Sequence, residues 1–113
     1  LTFDGVEGAE EIKTLMTKFR KNAPTAFAGV KVAAVEDFAN SKKTTANGEV
    51  SQINLPQANV LKYILVDGSW IAVRPSGTEP KIKFYIATEA QTQEEALLKR
   101  KQFENDITAF VKK

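Results

Sequence analysis

Three strand-like runs between residues 60 and 88 constrain the fold more than any other part of the sequence. Residues 60–66 and 69–74 are rich in β-branched and aromatic side chains, and the Asp67-Gly68 pair between them is typical of a two-residue hairpin turn. A third run, residues 81–88, alternates apolar with polar side chains after a loop rich in Gly and Pro. The stretch therefore predicts an antiparallel meander.

A two-residue turn fixes the register of the hairpin by placing Val66 opposite Ser69. The same register pairs Ile64 with Ile71 and Lys62 with Val73. One face of the hairpin would then carry Leu61, Tyr63, Leu65, Trp70, Ala72 and Arg74. We expect this face to be only partly covered within the domain and to be available for contact with another domain. In the third strand, Ile82, Phe84 and Ile86 alternate with Lys81, Lys83 and Tyr85, so Lys83 is predicted on the same face as Arg74.

Two amphipathic helices are predicted, one near each end of the chain. From Glu7 to Lys21 the apolar side chains recur with helical spacing, and Asn22 and Pro24 end the pattern. Thr92-Gln93-Glu94-Glu95 is a capping-box sequence that opens a second helix reaching Val111. The predicted buried stripes are Ile12, Leu15, Met16 and Phe19 in the first helix and Ala96, Phe103, Ile107 and Phe110 in the second.

Between the first helix and the meander, Val30–Asp37 alternates as a strand does, whereas residues 39–59 are mostly polar. A polar connection of that length predicts a long, disordered loop. The resulting order predicts an α+β fold in which a four-stranded antiparallel sheet carries both helices on one face. With 113 residues, the whole chain, 1–113, is expected to form a single domain.

The loop that follows Arg74 has the residue types of an anion site. Pro75 fixes its own φ angle, and Gly77 can adopt a positive one, so the amides of Ser76, Gly77 and Thr78 can point at a single ligand. The two hydroxyls add donors, and the Arg74 guanidinium can hold two phosphate oxygens. This pattern predicts a phosphate-binding loop, with Lys83 as a second cation beside it. Glu79 would repel phosphate, so we expect it to bond a sugar hydroxyl, to pair with a lysine or to turn away.

The composition excludes several kinds of chemistry. There is no cysteine for a disulfide or a thiolate metal site, which favours an intracellular origin, and no histidine to act as a general base. The aspartates are scattered, so no carboxylate cluster for a metal is visible. Without a base nearby, Ser76 is expected to donate to phosphate rather than to act as a nucleophile. No apolar run is long enough to span a membrane, and the start at Leu1 suggests a fragment of a larger protein.

Residues 74–85, Arg-Pro-Ser-Gly-Thr-Glu-Pro-Lys-Ile-Lys-Phe-Tyr, closely resemble the phosphate loop in the fourth, C-terminal domain of the alpha-D-phosphohexomutases. The resemblance extends over the whole chain and is strongest to the bacterial phosphoglucomutases and phosphomannomutases. It implies a fold similar in shape to the TATA-binding protein, which carries no implication of DNA binding.

The resemblance also implies a function. The complete cytoplasmic enzyme would move a phosphoryl group between C1 and C6 of a hexose through a bisphosphorylated sugar, using a phosphoserine and Mg²⁺ that both lie outside this domain. This chain would hold no catalytic residue and no metal, and would be inactive alone. Its partners would be the phosphorylated hexose and the other domains of the same polypeptide, with neither nucleic acid nor membrane. Arg74, Ser76, Gly77 and Thr78 match the family's phosphate contacts. Lys83 stands where many relatives have an arginine and lacks that residue's bidentate fork.

Two alternatives stay open at the level of sequence. The loop between the strands could be a rigid Gly/Pro connection that binds nothing. The chain could also be a free-standing module that binds nucleic acid or other anions without catalysis. Against nucleic acid, the net charge is only +2 and the loop lacks aromatic side chains between its basic residues. The choice among glucose, mannose and pentose phosphates is not encoded in this stretch.

Overall fold

A computed structural model describes residues 5–75 and 81–112, and describes side chains for residues 10–75 and 81–111. These parts of the chain contain two helices and a seven-stranded sheet. The elements are α1 (Gly5–Lys21), β1 (Ala26–Phe27), β2 (Val30–Asp37), β3 (Lys42–Thr45), β4 (Val50–Gln52), β5 (Leu61–Leu65), β6 (Trp70–Pro75), β7 (Ile82–Ala87) and α2 (Gln93–Lys112).

The sheet is antiparallel at every pairing, in the order β4-β3-β2-β5-β6-β7, with the short strand β1 paired to β2. The predicted α+β class, both helices and the strand Val30–Asp37 are confirmed. The prediction of four strands is wrong, because β3 and β4 extend the sheet beyond β2 and β1 adds a short hairpin.

The additional hairpin lies in the polar stretch that was expected to be disordered. Thr44 pairs with both Val35 of β2 and Val50 of β4, so β3 continues the ladder from the edge of β2. Every residue of β4 is exposed. These strands are held by backbone hydrogen bonds at a sheet edge rather than by burial of apolar side chains, so the apolar pattern on which the sequence prediction depended is absent.

The meander β5-β6-β7 is present, but the register of its first hairpin differs from the prediction by one residue. Tyr63 lies opposite Ile71, and the Leu65 amide donates to the Ser69 carbonyl. The turn therefore contains Val66, Asp67 and Gly68 instead of Asp67 and Gly68 alone. Gly68 has a φ of +92°, while Asp67 has no positive φ, as in a turn closed by a left-handed glycine.

The corrected register also corrects the assignment of faces. The inner face of the meander, which packs under the helices, carries Leu61, Tyr63, Leu65, Ile71, Val73, Phe84 and Ile86. The opposite face, called the outer face below, carries Lys62, Ile64, Trp70, Ala72, Arg74, Lys83 and Tyr85. The sequence analysis wrongly placed Leu61, Tyr63 and Leu65 on the face of Arg74, because a slip of one residue exchanges the two faces of a strand. Its placement of Lys83 beside Arg74 is confirmed.

A single apolar cluster joins both helices to the inner face. At its centre, the Phe19 ring of α1 lies 4.7 Å from the Phe110 ring of α2, 6.0 Å from the Phe84 ring and 6.3 Å from the Tyr63 ring, measured between centroids. The buried members of the cluster are Ile12, Leu15, Met16, Phe19, Phe27, Leu61, Tyr63, Leu65, Ile71, Val73, Ile82, Phe103 and Ile107. Both helices therefore cover the same face of the sheet, as predicted, and leave the outer face of the meander without a helix.

Side chains satisfy one end of each helix, from a distant strand for α1 and from the local cap for α2. The Tyr63 hydroxyl donates to the Phe19 carbonyl at 2.7 Å, in the last turn of α1, where carbonyls lack helical partners. At the start of α2, the Glu95 amide donates to the Thr92 hydroxyl, as the capping box predicts. The Glu95 carboxylate accepts from the Gln91 amide rather than from that of Thr92, so the reciprocal bond is shifted by one residue.

Neither helix in the described part of the chain is long and apolar enough to cross a membrane.

Candidate anion-binding edge of the sheet

The candidate site lies at the end of the meander where β6 ends and β7 begins. Pro75 pairs with Ile82, which are the last and first residues of the two strands, and Arg74 pairs with Lys83 one step inside them. Of the predicted phosphate contacts, Ser76, Gly77 and Thr78 lie outside the described residues, as does Glu79. The structure thus places Arg74 and Lys83 on the two strands that lead into that loop.

Arg74 and Lys83 form a pair of like charges directly opposite each other on the outer face. Residues opposite each other in an antiparallel ladder have Cβ atoms about 5 Å apart, so their cations can reach a common ligand. Both side chains are exposed, and within the described residues no carboxylate lies in salt-bridge contact with either of them. Like charges placed this way repel each other, and a bound anion would relieve that repulsion.

Another cation near this end of the sheet, Arg20 of α1, is already neutralised. Its Nε donates to the Asp37 carboxylate at 3.1 Å, and its Nη2 donates to the Asn59 side chain at 2.8 Å. These bonds attach the end of α1 to β2 and to the segment before β5. Arg20 therefore has a structural role on the inner face, whereas Arg74 keeps its donors for the outer face.

The far end of the meander is fixed by several polar contacts around the β5–β6 turn. The fully buried Ser69 accepts a hydrogen bond from the Glu89 amide at 2.9 Å, which ties the end of β7 to the start of β6. The Lys99 ammonium of α2 donates to the Asp67 carboxylate at 2.5 Å and to the Glu89 carbonyl at 2.8 Å. These contacts hold the two strands in register, and the register brings Arg74 opposite Lys83.

The charge at this far end is unsuited to phosphate. A groove there is lined by the acidic side chains Asp67, Glu89 and Glu95, and its lysine, Lys99, is already paired. Burial by itself would raise the pKa of Asp67, but the hydrogen bonds from Lys99 and Ser69 outweigh burial and lower that pKa, so the carboxylate stays ionised. An anionic ligand would be repelled from this groove and favoured at the opposite end of the meander.

The described residues offer no alternative chemistry based on metal. Within residues 5–75 and 81–112, no group of three or more acidic side chains, histidines or cysteines is arranged to hold a metal ion. Among the same residues, the site offers the two cations Arg74 and Lys83. These cations can attract an anion.

Tyr85 is a feature of the site to which the sequence analysis gave no role. It follows Lys83 by two residues on the same strand, so both side chains project from the outer face, and its relative exposure is 41%. The alternation of Lys81, Lys83 and Tyr85 in the sequence was sufficient to predict that Tyr85 lies on the same face as Lys83. Its exposure could not be read from the sequence, because it depends on which face the helices cover.

Comparison with known proteins identifies the family of the chain. The family model described as "Phosphoglucomutase/phosphomannomutase, C-terminal domain" matches residues 11–105. The phosphoglucomutase of Staphylococcus epidermidis is 53% identical over 87 residues, which are 76% of this chain and 16% of that protein. The phosphoglucomutase of Staphylococcus haemolyticus is 48% identical over 86 residues, 75% of this chain and 16% of that protein. That of Staphylococcus aureus is 47% identical over 87 residues, with coverages of 76% and 16%.

No solved structure matched the chain. The chain spans about 16% of the length of the curated relatives it matches. The family match includes all of β1 to β7, and with them Arg74 and Lys83. By this match and by the identity to the three phosphoglucomutases, the chain belongs to the phosphoglucomutase/phosphomannomutase C-terminal domain family.

Proposed function

We propose that this chain is the phosphate-clamping domain of a phosphohexomutase that interconverts hexose 1-phosphate and hexose 6-phosphate. The observation that carries the proposal is the cross-strand pair of Arg74 and Lys83, which face the same side at the start of the loop containing Ser76, Gly77 and Thr78. In this proposal the loop supplies amides and hydroxyls, and the two side chains supply positive charge.

The phosphate bound here is the one that does not react. The phosphoserine and the Mg²⁺ that carry out the transfer belong to other domains of the full-length cytoplasmic enzyme, and this chain alone is inactive. Its contribution is to hold the remote phosphate so that the reacting oxygen of the sugar is aligned with those groups. In phosphoryl transfer much of the catalysis is positioning, so binding energy at a remote phosphate increases the rate of the reacting step.

Replacement of Arg74 in the full-length enzyme tests the proposal. Arg74→Ala removes a charged, bidentate donor, and a charged hydrogen bond contributes about 1.5–3 kcal/mol, so hexose phosphate should bind roughly tenfold to a hundredfold more weakly. Equilibrium binding of glucose 1-phosphate, mannose 1-phosphate and ribose 1-phosphate should be measured in parallel, since all three carry the phosphate. The matched control is Arg100→Ala, which removes an exposed arginine whose partner is Glu104 on α2.

Unchanged affinity in Arg74→Ala, or an equal loss in Arg100→Ala, would contradict the proposal. Retention of the chain on heparin or on an oligonucleotide, weakening steeply with salt, would instead favour the nucleic-acid module.

A further inference from the structure

On the outer face, a second row of side chains lies next to Arg74 and Lys83, toward the middle of the meander. One row away from Arg74 and Lys83, the paired residues of β5, β6 and β7 are Lys62, Ala72 and Tyr85. Ala72, the middle residue of this row, is small and only 8% exposed. Tyr85 therefore lies on the same surface as Arg74 and Lys83, in the adjacent row.

Among the described residues, the outer face carries two aromatic rings, Trp70 and Tyr85, and Tyr85 is the more exposed of the two, at 41%. The Lys62 ammonium lies 4.6 Å from the centre of the Trp70 ring, a cation–π contact that occupies that ring. Within the described residues, neither an aromatic ring nor a cation makes such a contact with Tyr85. The Tyr85 ring is therefore available to a ligand.

The distance between Lys83 and Tyr85 suits a phosphorylated sugar. Lys83 and Tyr85 are two residues apart on one strand, which separates their Cβ atoms by roughly 7 Å. In a hexose phosphate, the phosphorus is joined to the pyranose ring by a few covalent bonds, so a phosphate held between Arg74 and Lys83 leaves the sugar within reach of Tyr85. The weakly positive C–H groups of a pyranose ring are complementary to the negative face of an aromatic ring.

We propose that Tyr85 supports the sugar ring of the bound hexose phosphate and so favours phosphorylated hexose over inorganic phosphate. This inference rests on the proposed function, because it assumes that the phosphate lies at Arg74 and Lys83. It adds a contact to the sugar itself from a domain otherwise assigned only to the phosphate. The ring, rather than the hydroxyl, makes the contact.

The test compares two ligands on the 113-residue chain. Backbone amide shifts are followed during titration with inorganic phosphate and with glucose 1-phosphate, and the ratio of the two dissociation constants is determined. Tyr85→Ala should weaken glucose 1-phosphate by about threefold to tenfold, the range expected for one aromatic contact, and leave inorganic phosphate unchanged. Tyr85→Phe keeps the ring and should stay within about twofold of the wild type in both affinities. Leu97→Ala, an exposed apolar truncation on α2 at the other side of the sheet, should change neither.

The outcomes separate this inference from the proposed function. If Tyr85→Ala leaves the ratio of the two dissociation constants unchanged while Arg74→Ala abolishes phosphate binding, the proposed phosphate clamp stands and the proposed role of Tyr85 is wrong. An equal loss of both ligands in Tyr85→Ala also overturns it, since the ring would then act on the phosphate or on the fold. A wild-type chain that binds neither ligand overturns both proposals.

Discussion

Removal of one positive charge from the pair of Arg74 and Lys83 should make the free domain more stable and the phosphate-bound domain less so. Lys83→Met keeps an unbranched side chain only one atom shorter but leaves Arg74 without a like charge opposite it. The two cations sit on flexible stems and can move apart to about 7 Å, at which distance Coulomb's law in water gives a repulsion of about 0.6 kcal/mol. Because the Debye length is about 10 Å at 0.1 M salt, roughly half of this repulsion persists there.

The free energy of unfolding, measured with urea, should therefore rise in Lys83→Met by about 0.6 kcal/mol at very low salt and by about 0.3 kcal/mol at 0.1 M salt. Phosphate at ten times its dissociation constant should stabilise the wild type by about 1.4 kcal/mol. The variant, with one cation missing, should gain much less, so that phosphate reverses the order of stability of the two proteins. The control is Lys31→Met, on β2 opposite Ala26, where no like charge faces the lysine across the ladder.

The reasoning would be refuted by a Lys83→Met variant whose stability does not change with salt relative to the wild type. An equal stabilisation of both proteins by phosphate would refute it as well, because Lys83 would then not contact the anion.

Two further predictions concern the contacts that hold the site in place. Tyr63→Phe should lower the free energy of unfolding by about 1–2 kcal/mol, because it leaves the buried Phe19 carbonyl without a partner. A urea titration would measure this loss, and a loss below about 0.3 kcal/mol would mean that the hydrogen bond contributes little. The pKa of Asp67 is lowered, so its pairing with Lys99 should stabilise the fold above the ordinary carboxyl pKa of 3.8, and this stabilisation should be lost as pH falls below 3.8 through the lower pKa of the folded state. Asp67→Asn should therefore lower the free energy of unfolding by about 0.5 kcal/mol at pH 7 and flatten the acid side of a curve of stability against pH. An unchanged acid side in the variant would contradict this.

The sequence alone was sufficient wherever the signal is local. Helix α1 follows from the spacing of its apolar side chains, α2 from the Thr92 cap and the stripe that includes Phe103 and Ile107, and β2 from its alternation. These patterns depend on neighbours within a few residues, so no knowledge of the rest of the chain is needed. The alternation that places Lys83 on the same face as Arg74 was equally readable.

The tertiary structure decided the features that depend on pairing between distant segments. The register of the hairpin depends on whether Val66 belongs to the strand or to the turn. The burial of Tyr63 under α1 and the ion pair of Asp67 with Lys99 on α2 both favour its place in the turn. Strands β3 and β4 exist because β2 offers an unpaired edge, a condition absent from their own composition. The sequence thus determined which chemical groups are present and in what local order. Long-range backbone pairing and the face chosen by the helices determined which of those groups, Tyr85 among them, are exposed beside the two cations.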